Sequence, residues 1–248
     1  MIFFGGLILI LFTWFFFEKT GRDYPRLFWI ALLYKCAMAI ALGLVYSQYY
    51  SSNDTWLFFK DAERIAGLAR TDTSAYFKFL WNSESVNSLV ATLANTQERS
   101  LFLIKIMSVA CLLTGDNYWL SSIYFCCISF TASWFLFTNV SRHFSNSHWE
   151  AALAFLFYPS VIFWSSGLVK ETLALSGIYF IGALLIKIAG ASRILLIEWI
   201  VGALAFYVSW NLKYYWTALF MAVVITSVLS LFLKNRKIIS IKFQELTW

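Results

Sequence analysis

The sequence predicts an all-α polytopic membrane protein, with about seven transmembrane helices and juxtamembrane helices in a long first outer loop. Of its 248 residues, 60% are hydrophobic and only 13% are charged, and the mean hydropathy is +0.70. The apolar residues form continuous runs of helical length. A soluble domain of this size could not bury so much apolar surface, and barrel strands would alternate apolar with polar residues.

Seven apolar runs are long enough to cross a bilayer. They lie at 2–17, 27–47, 118–139, 151–166, 169–189, 194–211 and 214–233. A shorter run at 101–114 carries Lys105 in its middle, and we expect it to stay at the membrane surface. The chain is then a single membrane domain (1–248), divided into two first helices (1–47), an outer loop (48–117), a five-helix bundle (118–233) and a cytoplasmic tail (234–248).

The basic residues predict the orientation of this domain. Clusters of Lys, Arg and His follow the first, third, fifth and seventh runs, for example at Lys19, Arg142, Lys187 and Lys234. If the run 101–114 does not cross, all four clusters fall on the cytoplasmic side. The N-terminus is then outside and the C-terminus cytoplasmic, in what we expect to be a bacterial inner membrane. The net charge of +6 therefore reports topology and does not indicate nucleic-acid binding.

The outer loop contains the first candidate site. Asp54 and Asp61 lie seven residues apart, so they share one face of a helix, and Glu63 and Arg64 follow closely. A carboxylate just outside a membrane helix can act as a general base or help to hold a divalent cation on a diphosphate. The alternative is a wet helix surface on which these acids pair with Lys60 and Arg64.

A second candidate lies between two apolar runs, where the segment from Tyr158 to Glu171 contains Pro159, Trp164 and the Ser-Ser-Gly of 165–167. Ionised side chains at membrane depth are costly, so the adjacent Lys170 and Glu171 indicate a functional site. Lys170 could neutralise a phosphate, whereas Glu171 suits the first turn of a helix. The alternative is a helix cap whose lysine extends to the interface.

The turn at 211–214 carries Lys213 and Tyr214. Its aromatic residues are typical of the membrane interface, and Lys213 could add positive charge for an anionic lipid head. Lys35 and Glu198 are expected to extend from the apolar runs to the cytoplasmic interface. The four cysteines lie in apolar runs without metal-ligand spacing, and we expect them to be packing residues.

The order of these features resembles the GT-C membrane glycosyltransferases, such as the protein O-mannosyltransferases and the lipid A aminoarabinose transferase. The matching pieces are the acids of the outer loop, Glu98-Arg99-Ser100-Leu101, Ser141-Arg142-His143 and Pro159 to Glu171. The arrangement is also similar to uncharacterised Bacteroidetes-type integral membrane proteins with a Pro-Ser-Val-Leu-Phe-Trp-Gly-Ser-Gly-Leu-Lys-Glu run. The resemblance covers about residues 27–190.

The resemblance implies transfer of a sugar from a polyprenyl-phosphate donor to an acceptor on the outer face. Asp54 or Asp61 would be the catalytic base or a metal partner, and Glu171 stands where the family often has an aspartate. Lys170, Lys213 or an arginine of the loop would hold the phosphate. Family members usually have more helices than the seven expected here, so partner membrane subunits are compatible with the resemblance.

Two other functions are alternatives, and the second fits the sequence less well. A non-catalytic membrane subunit of an envelope assembly would use the same residues to hold its partners. A lipid or solute transporter would need charged or broken helices in mid-membrane, whereas the ionisable residues cluster at the predicted outer ends. The glycosyltransferase hypothesis makes a specific prediction: Asp54, Asp61, Lys170 and Glu171 share one outer cavity.

Overall fold

The computed structural model describes residues 2–50, 54–82, 90–144 and 146–235, and every element in these ranges is helical. The predicted tail is 234–248, and its residues 236–248 lie outside the described residues. A π-helical turn, Phe17–Gly21, continues α1, and a second, Leu153–Phe157, follows α7. The α-helices are α1 (Ile2–Phe16), α2 (Pro25–Gln48), α3 (Asp54–Thr71), α4 (Thr73–Trp81), α5 (Glu98–Thr114), α6 (Tyr118–His143), α7 (His148–Ala152), α8 (Pro159–Trp164), α9 (Lys170–Ala189) and α10 (Leu196–Asn235).

Five helices of the described chain are long and apolar enough to cross a membrane. They are Ile2–Gly21, Pro25–Gln48, Tyr118–His143, Lys170–Ala189 and Leu196–Leu233. The outermost helices α1 and α10 expose large apolar side chains such as Phe3 and Leu219, a surface that suits lipid and not water. The helical membrane class is confirmed, and two segments account for the difference between seven predicted spans and five.

The first of these segments is 148–164, which the sequence predicts as one span from 151. It is divided into α7, the π-helical turn and α8. Pro159 starts α8, and Tyr158 before it is extended, with φ −65° and ψ 111°. Proline has no N–H and disfavours a helical conformation at the preceding residue, which accounts for the interruption of the helix at this point.

The second segment is α10, in which Lys213 has the non-helical angles φ −141° and ψ 65°. Before it, Ser209 donates from Oγ to the Ala174 carbonyl of α9 over 3.0 Å. After it, the Phe220 ring reaches 3.7 Å from the Cβ position of Gly182. In one straight helix Phe220 would lie about 28 Å from Gly182 along the axis. The chain therefore reverses at Lys213, in the turn predicted at 211–214.

Close approach between α9 and the first arm of α10 depends on Gly177. A Cβ there would lie 2.0 Å from Ser209 Oγ and 2.6 Å from the Ala205 carbonyl oxygen. We expect Gly177→Ala to lower the free energy of unfolding in mixed micelles by about 2 kcal/mol, because a backbone atom must move. Gly6→Ala is the control, since no atom lies within 4 Å of its Cβ position. Equal stability of the two variants would contradict this packing.

The bundle has two ends, which we name after residues of α9. At the Lys187 end, the Trp134 indole donates to the Thr20 carbonyl over 3.2 Å, linking α6 to the π-helical turn after α1. At the Lys170 end, α3 crosses the tips of the long helices: the Trp56 indole donates to the Gly43 carbonyl of α2 over 3.4 Å, and its ring stacks on Tyr118 of α6 at 3.7 Å.

Both ends of α5 lie at the Lys170 end. Ser100 in its first turn contacts Lys170, and the Leu113 carbonyl in its last turn lies 2.5 Å from the Cβ position of Gly5, near the start of α1. Just after α5, Asp116 forms an ion pair with Arg70 of α3 at 2.6 Å. This hydrogen bonding raises the pKa of the Arg70 guanidinium. The helix α5 therefore runs along the end of the bundle, as expected for a run that does not cross.

Candidate functional site

Five charged residues meet at the Lys170 end, and we call them the Lys170 cluster. They come from four places in the chain: the first turns of α3 and α5, the start of α9 and the break in α10. Because α3 and α5 lie across the tips of the long helices, their first turns reach the start of α9. The members of the cluster are Asp54, Arg99, Lys170, Glu171 and Lys213.

Lys170 lies at the centre of this cluster. Its Nζ donates to the buried Ser100 Oγ over 2.9 Å and lies 4.9 Å from the centroid of the Phe58 ring. The charges of the other four members act on this amine. Among the described residues, no carboxylate lies within ion-pair distance of it. A cation held by a hydroxyl and a ring face keeps its charge available for an anion.

Lys213 and Glu171 pair with one another. Their side-chain atoms Nζ and Oε1 are 2.5 Å apart, and both side chains are less than a third exposed. The Lys213 amine also lies 5.4 Å from the centroid of the Trp216 ring. The break in α10 at Lys213 places this amine at the start of α9, where Glu171 occupies the first turn. The pair lowers the net charge of the cluster and ties α10 to α9.

The sequence left open which arginine of the outer loop could hold the phosphate, and the structure places Arg99 in the cluster. Its guanidinium lies 4.3 Å from the centroid of the Tyr214 ring, so the predicted binding residue Tyr214 acts here as a platform for a cation. Arg99 lies in the motif that carries the family resemblance, one residue before Ser100. A basic residue at the start of a non-crossing helix was the signal that could have identified it.

Asp54 is the free carboxylate of the cluster. It is exposed in the first turn of α3 and, within the described residues, forms no ion pair. The next residue anchors the helix: Thr55 Oγ1 lies 3.2 Å from the hydroxyl of Tyr118, and both side chains are buried. Asp54 is therefore an exposed carboxylate, unpaired in the described structure, whose charge acts on Lys170, and an unpaired carboxylate is what a general base requires.

Asp61 has different surroundings. Its side chain is buried and accepts hydrogen bonds from the backbone N–H groups of Ala94 and Asn95, both at 3.1 Å, and from Asn95 Nδ2 at 3.2 Å. The nearby Arg64 donates to the Thr92 carbonyl over 2.8 Å, and Glu63 is exposed. The charges of Asp54 and Glu171 act on Lys170, but Asp61 and Arg64 hold residues 92–95 and, among the described residues, contribute to no shared site with them.

We expect Asp61→Ala to destabilise the protein by about 3 kcal/mol, because two backbone N–H groups lose a charged acceptor. The measurement is the free energy of unfolding in mixed micelles. Glu63→Ala serves as the control on the same helix and should change stability by less than about 0.5 kcal/mol. If both variants were equally stable, the structural role of Asp61 would be wrong.

The segment 165–169, which leads into Lys170, is held by α2. Lys35 Nζ donates to Ser165 Oγ over 2.9 Å, and the Cβ position of Gly167 is 2.7 Å from Leu42. Trp164 lies at the entry to this segment, with its ring 6.5 Å from that of Tyr46. The expectation that Lys35 extends to the interface is wrong: it is 1% exposed, because Ser165 supplies an acceptor inside the bundle.

No group of three His, Cys, Asp or Glu side chains is arranged to hold a metal ion in the described part of the chain. The cysteines are free, and three of them are buried, in keeping with their expected packing role. The geometry thus combines three cations, one paired carboxylate and one free carboxylate at one end of a membrane bundle. A comparison of the chain with known protein families, curated proteins and solved structures found no match.

Proposed function

We propose that the protein is an integral membrane glycosyltransferase of the GT-C type, which moves a sugar from a polyprenyl-phosphate donor to an acceptor on the extracytoplasmic face. The observation that carries this proposal is the Lys170 cluster. It joins cations suited to a phosphate with an unpaired carboxylate suited to an acceptor hydroxyl. The remaining support is the order of motifs in the sequence.

The proposed topology has seven crossings in a bacterial inner membrane. They are α1, α2, α6, the divided segment 148–164, α9 and the two arms of α10. The basic residues Lys19, Arg142, Lys187 and Arg193 line one cavity at the Lys187 end, which supports a cytoplasmic position for that end. The N-terminus and the Lys170 cluster are then extracytoplasmic, and the C-terminus is cytoplasmic.

In the proposed reaction, Lys170 and Arg99 bind the donor phosphate, and Lys213 adds positive charge beside them. The acceptor oxygen attacks the anomeric carbon, and its proton passes to the Asp54 carboxylate. The bond between the anomeric carbon and the phosphate oxygen breaks, and polyprenyl phosphate leaves with the bonding electrons. The cations stabilise the charge that this leaving group gains.

The polyisoprenoid chain of the donor needs an apolar path. An apolar crevice of about 410 Å³ lies between α2 and α6 at the Lys170 end. Its lining includes Leu44 and Trp119. In this proposal the donor's lipid tail lies in the crevice, at the same end of the bundle as the cluster that binds its phosphate.

The proposal is tested with purified protein in liposomes that contain a panel of polyprenyl-phosphate sugars and a total envelope extract as acceptor. We expect release of polyprenyl phosphate, measured by mass spectrometry, from at least one donor. Release should require Asp54, since Asp54→Asn leaves the fold intact but removes the base. Absence of release from every donor by correctly folded protein would contradict the proposal.

A non-catalytic membrane subunit of an envelope assembly is the second candidate. The ion pair between Lys213 and Glu171 favours it, because these two charges already satisfy each other without a ligand. In that case affinity capture from membranes should recover partner subunits with the wild type and lose them with Lys170→Gln. Sugar transfer in the same membranes would not change.

A further inference from the structure

A cavity of about 410 Å³ opens at the Lys187 end of the bundle, opposite the Lys170 cluster. The π-helical turn after α1, the last turns of α6 and α9, the loop after α9 and the start of α10 all contribute to its wall. No step of the proposed sugar transfer uses it. Its charged or titratable lining residues are Lys19, Arg142, His143, Lys187, Arg193 and Glu198.

Positive charge dominates this cavity. Four permanent cations face a single carboxylate, Glu198. That carboxylate accepts from Lys187 Nζ at 2.6 and 2.7 Å and from the Leu195 N–H at 2.8 Å. Glu198 is therefore committed to Lys187 and to the start of α10, instead of extending to the interface as the sequence suggested. It neutralises one cation and leaves three.

The three remaining cations have weak partners or none. Arg142 pairs with Asp23 at 3.0 Å, but both side chains are mostly exposed, and such pairs hold little energy in water. Lys19 lies 5.0 Å from the Phe15 ring centroid. In the described ranges, no carboxylate is within ion-pair distance of Lys19 or Arg193.

Two general effects explain why cations occur here, but not how they are arranged. Basic residues are favoured at helix C-termini and on the cytoplasmic side of membranes. Either effect is satisfied by side chains that spread over a flat surface. Here cations from the π-helical turn after α1, from α6 and from the loop after α9 instead surround one concave space, where they repel one another. A bound anion removes that repulsion.

We propose that this cavity binds a phosphate group, carried by an anionic phospholipid head or by a soluble phosphorylated compound. Phosphate oxygens accept charge-assisted hydrogen bonds from Lys19 and paired ones from the planar guanidinium groups of Arg142 and Arg193. The volume falls within the range of small-molecule sites. Basic pockets between membrane helices on the cytoplasmic side suit lipid phosphates.

The test uses lipid-depleted protein in a neutral detergent, and the unfolding temperature is read from tryptophan fluorescence. One arm titrates inorganic phosphate against chloride at equal ionic strength. The other arm titrates phosphatidylglycerol against phosphatidylcholine in mixed micelles. The test variant is Lys19→Gln/Arg193→Gln, whose residues are exposed and line the cavity. The control Arg22→Gln/Arg26→Gln removes the same charge from exposed residues outside it.

We expect at least one probe to raise the unfolding temperature of the wild type, and its apparent affinity to fall by roughly tenfold or more in the test variant. The control should change by less than about twofold. Stabilisation by phosphatidylglycerol alone assigns a lipid head, whereas stabilisation by inorganic phosphate assigns a soluble ligand. The single variant Arg193→Gln repeats the test if the double variant does not fold. No stabilisation of the wild type, or equal losses in both double variants, would overturn the proposal.

Discussion

Lys170→Gln is expected to reduce release of polyprenyl phosphate by roughly 100- to 1000-fold, the effect of removing one preorganised charge from a developing anion. The lysine amine has no carboxylate partner in the described structure, so its charge is directed to the ligand. The measurement is the initial rate of release in liposomes. Lys170→Arg keeps the charge and should recover part of the rate.

The control for this prediction is Lys60→Gln on α3. Lys60 is exposed and is not among the charges that act on Lys170. The Lys60→Gln variant loses one positive charge, as Lys170→Gln does. Its rate of polyprenyl phosphate release should remain within about twofold of the wild type. Equal rates in the two glutamine variants would show that Lys170 does not bind the leaving phosphate.

Asp54→Asn is expected to lower kcat by roughly 100- to 10,000-fold and to leave KM for the donor nearly unchanged. The asparagine has almost the same shape but cannot accept the proton of the acceptor hydroxyl. Lys170→Gln should instead change both constants: it should raise KM for the donor and lower kcat, because the lysine binds the donor phosphate and also stabilises the leaving group. Steady-state rates over a range of donor concentrations separate the two effects.

Glu63→Gln controls for the loss of one negative charge on α3, since Glu63 is exposed and contacts no member of the cluster within the described residues. Its kinetic constants should match those of the wild type. If Asp54→Asn retained wild-type kcat, Asp54 would be no base, and the cluster would be reduced to a binding site.

The helical membrane class and the approximate positions of the crossings could be predicted because hydropathy reports burial in lipid directly. The apolar run 151–166 was predicted as one helix, so the break before α8 was missed, although Pro159 in the sequence marks its position. The turn at Lys213 was predicted from polar residues between two apolar runs. The chain is helical on both sides of Lys213 and still reverses its direction there.

The convergence of the candidate site was harder to predict, because it depends on contacts between residues distant in sequence. Ser100 and Lys170 are 70 residues apart, and Lys35 and Ser165 are 130 apart. Helical spacing placed Asp54 and Asp61 on the same face, but it could not show that the 94–95 backbone binds Asp61. Periodicity within one helix contains no information about such partners.

In the proposed topology, α3 and the start of α9 face the same, extracytoplasmic side of the membrane. Single cysteines at Lys60 and Tyr214 report the Lys170 end, and a cysteine at Arg193 reports the Lys187 end. All three positions are exposed. The substitutions are made in a chain whose four native cysteines are replaced by alanine.

The measurement is labelling of intact cells with a membrane-impermeant maleimide. The cysteines at Lys60 and Tyr214 should react in intact cells, and the cysteine at Arg193 should react only after the membrane is permeabilised. Reaction of Lys60→Cys and Tyr214→Cys from opposite sides would contradict the shared site, and reaction of Arg193→Cys in intact cells would reverse the proposed orientation.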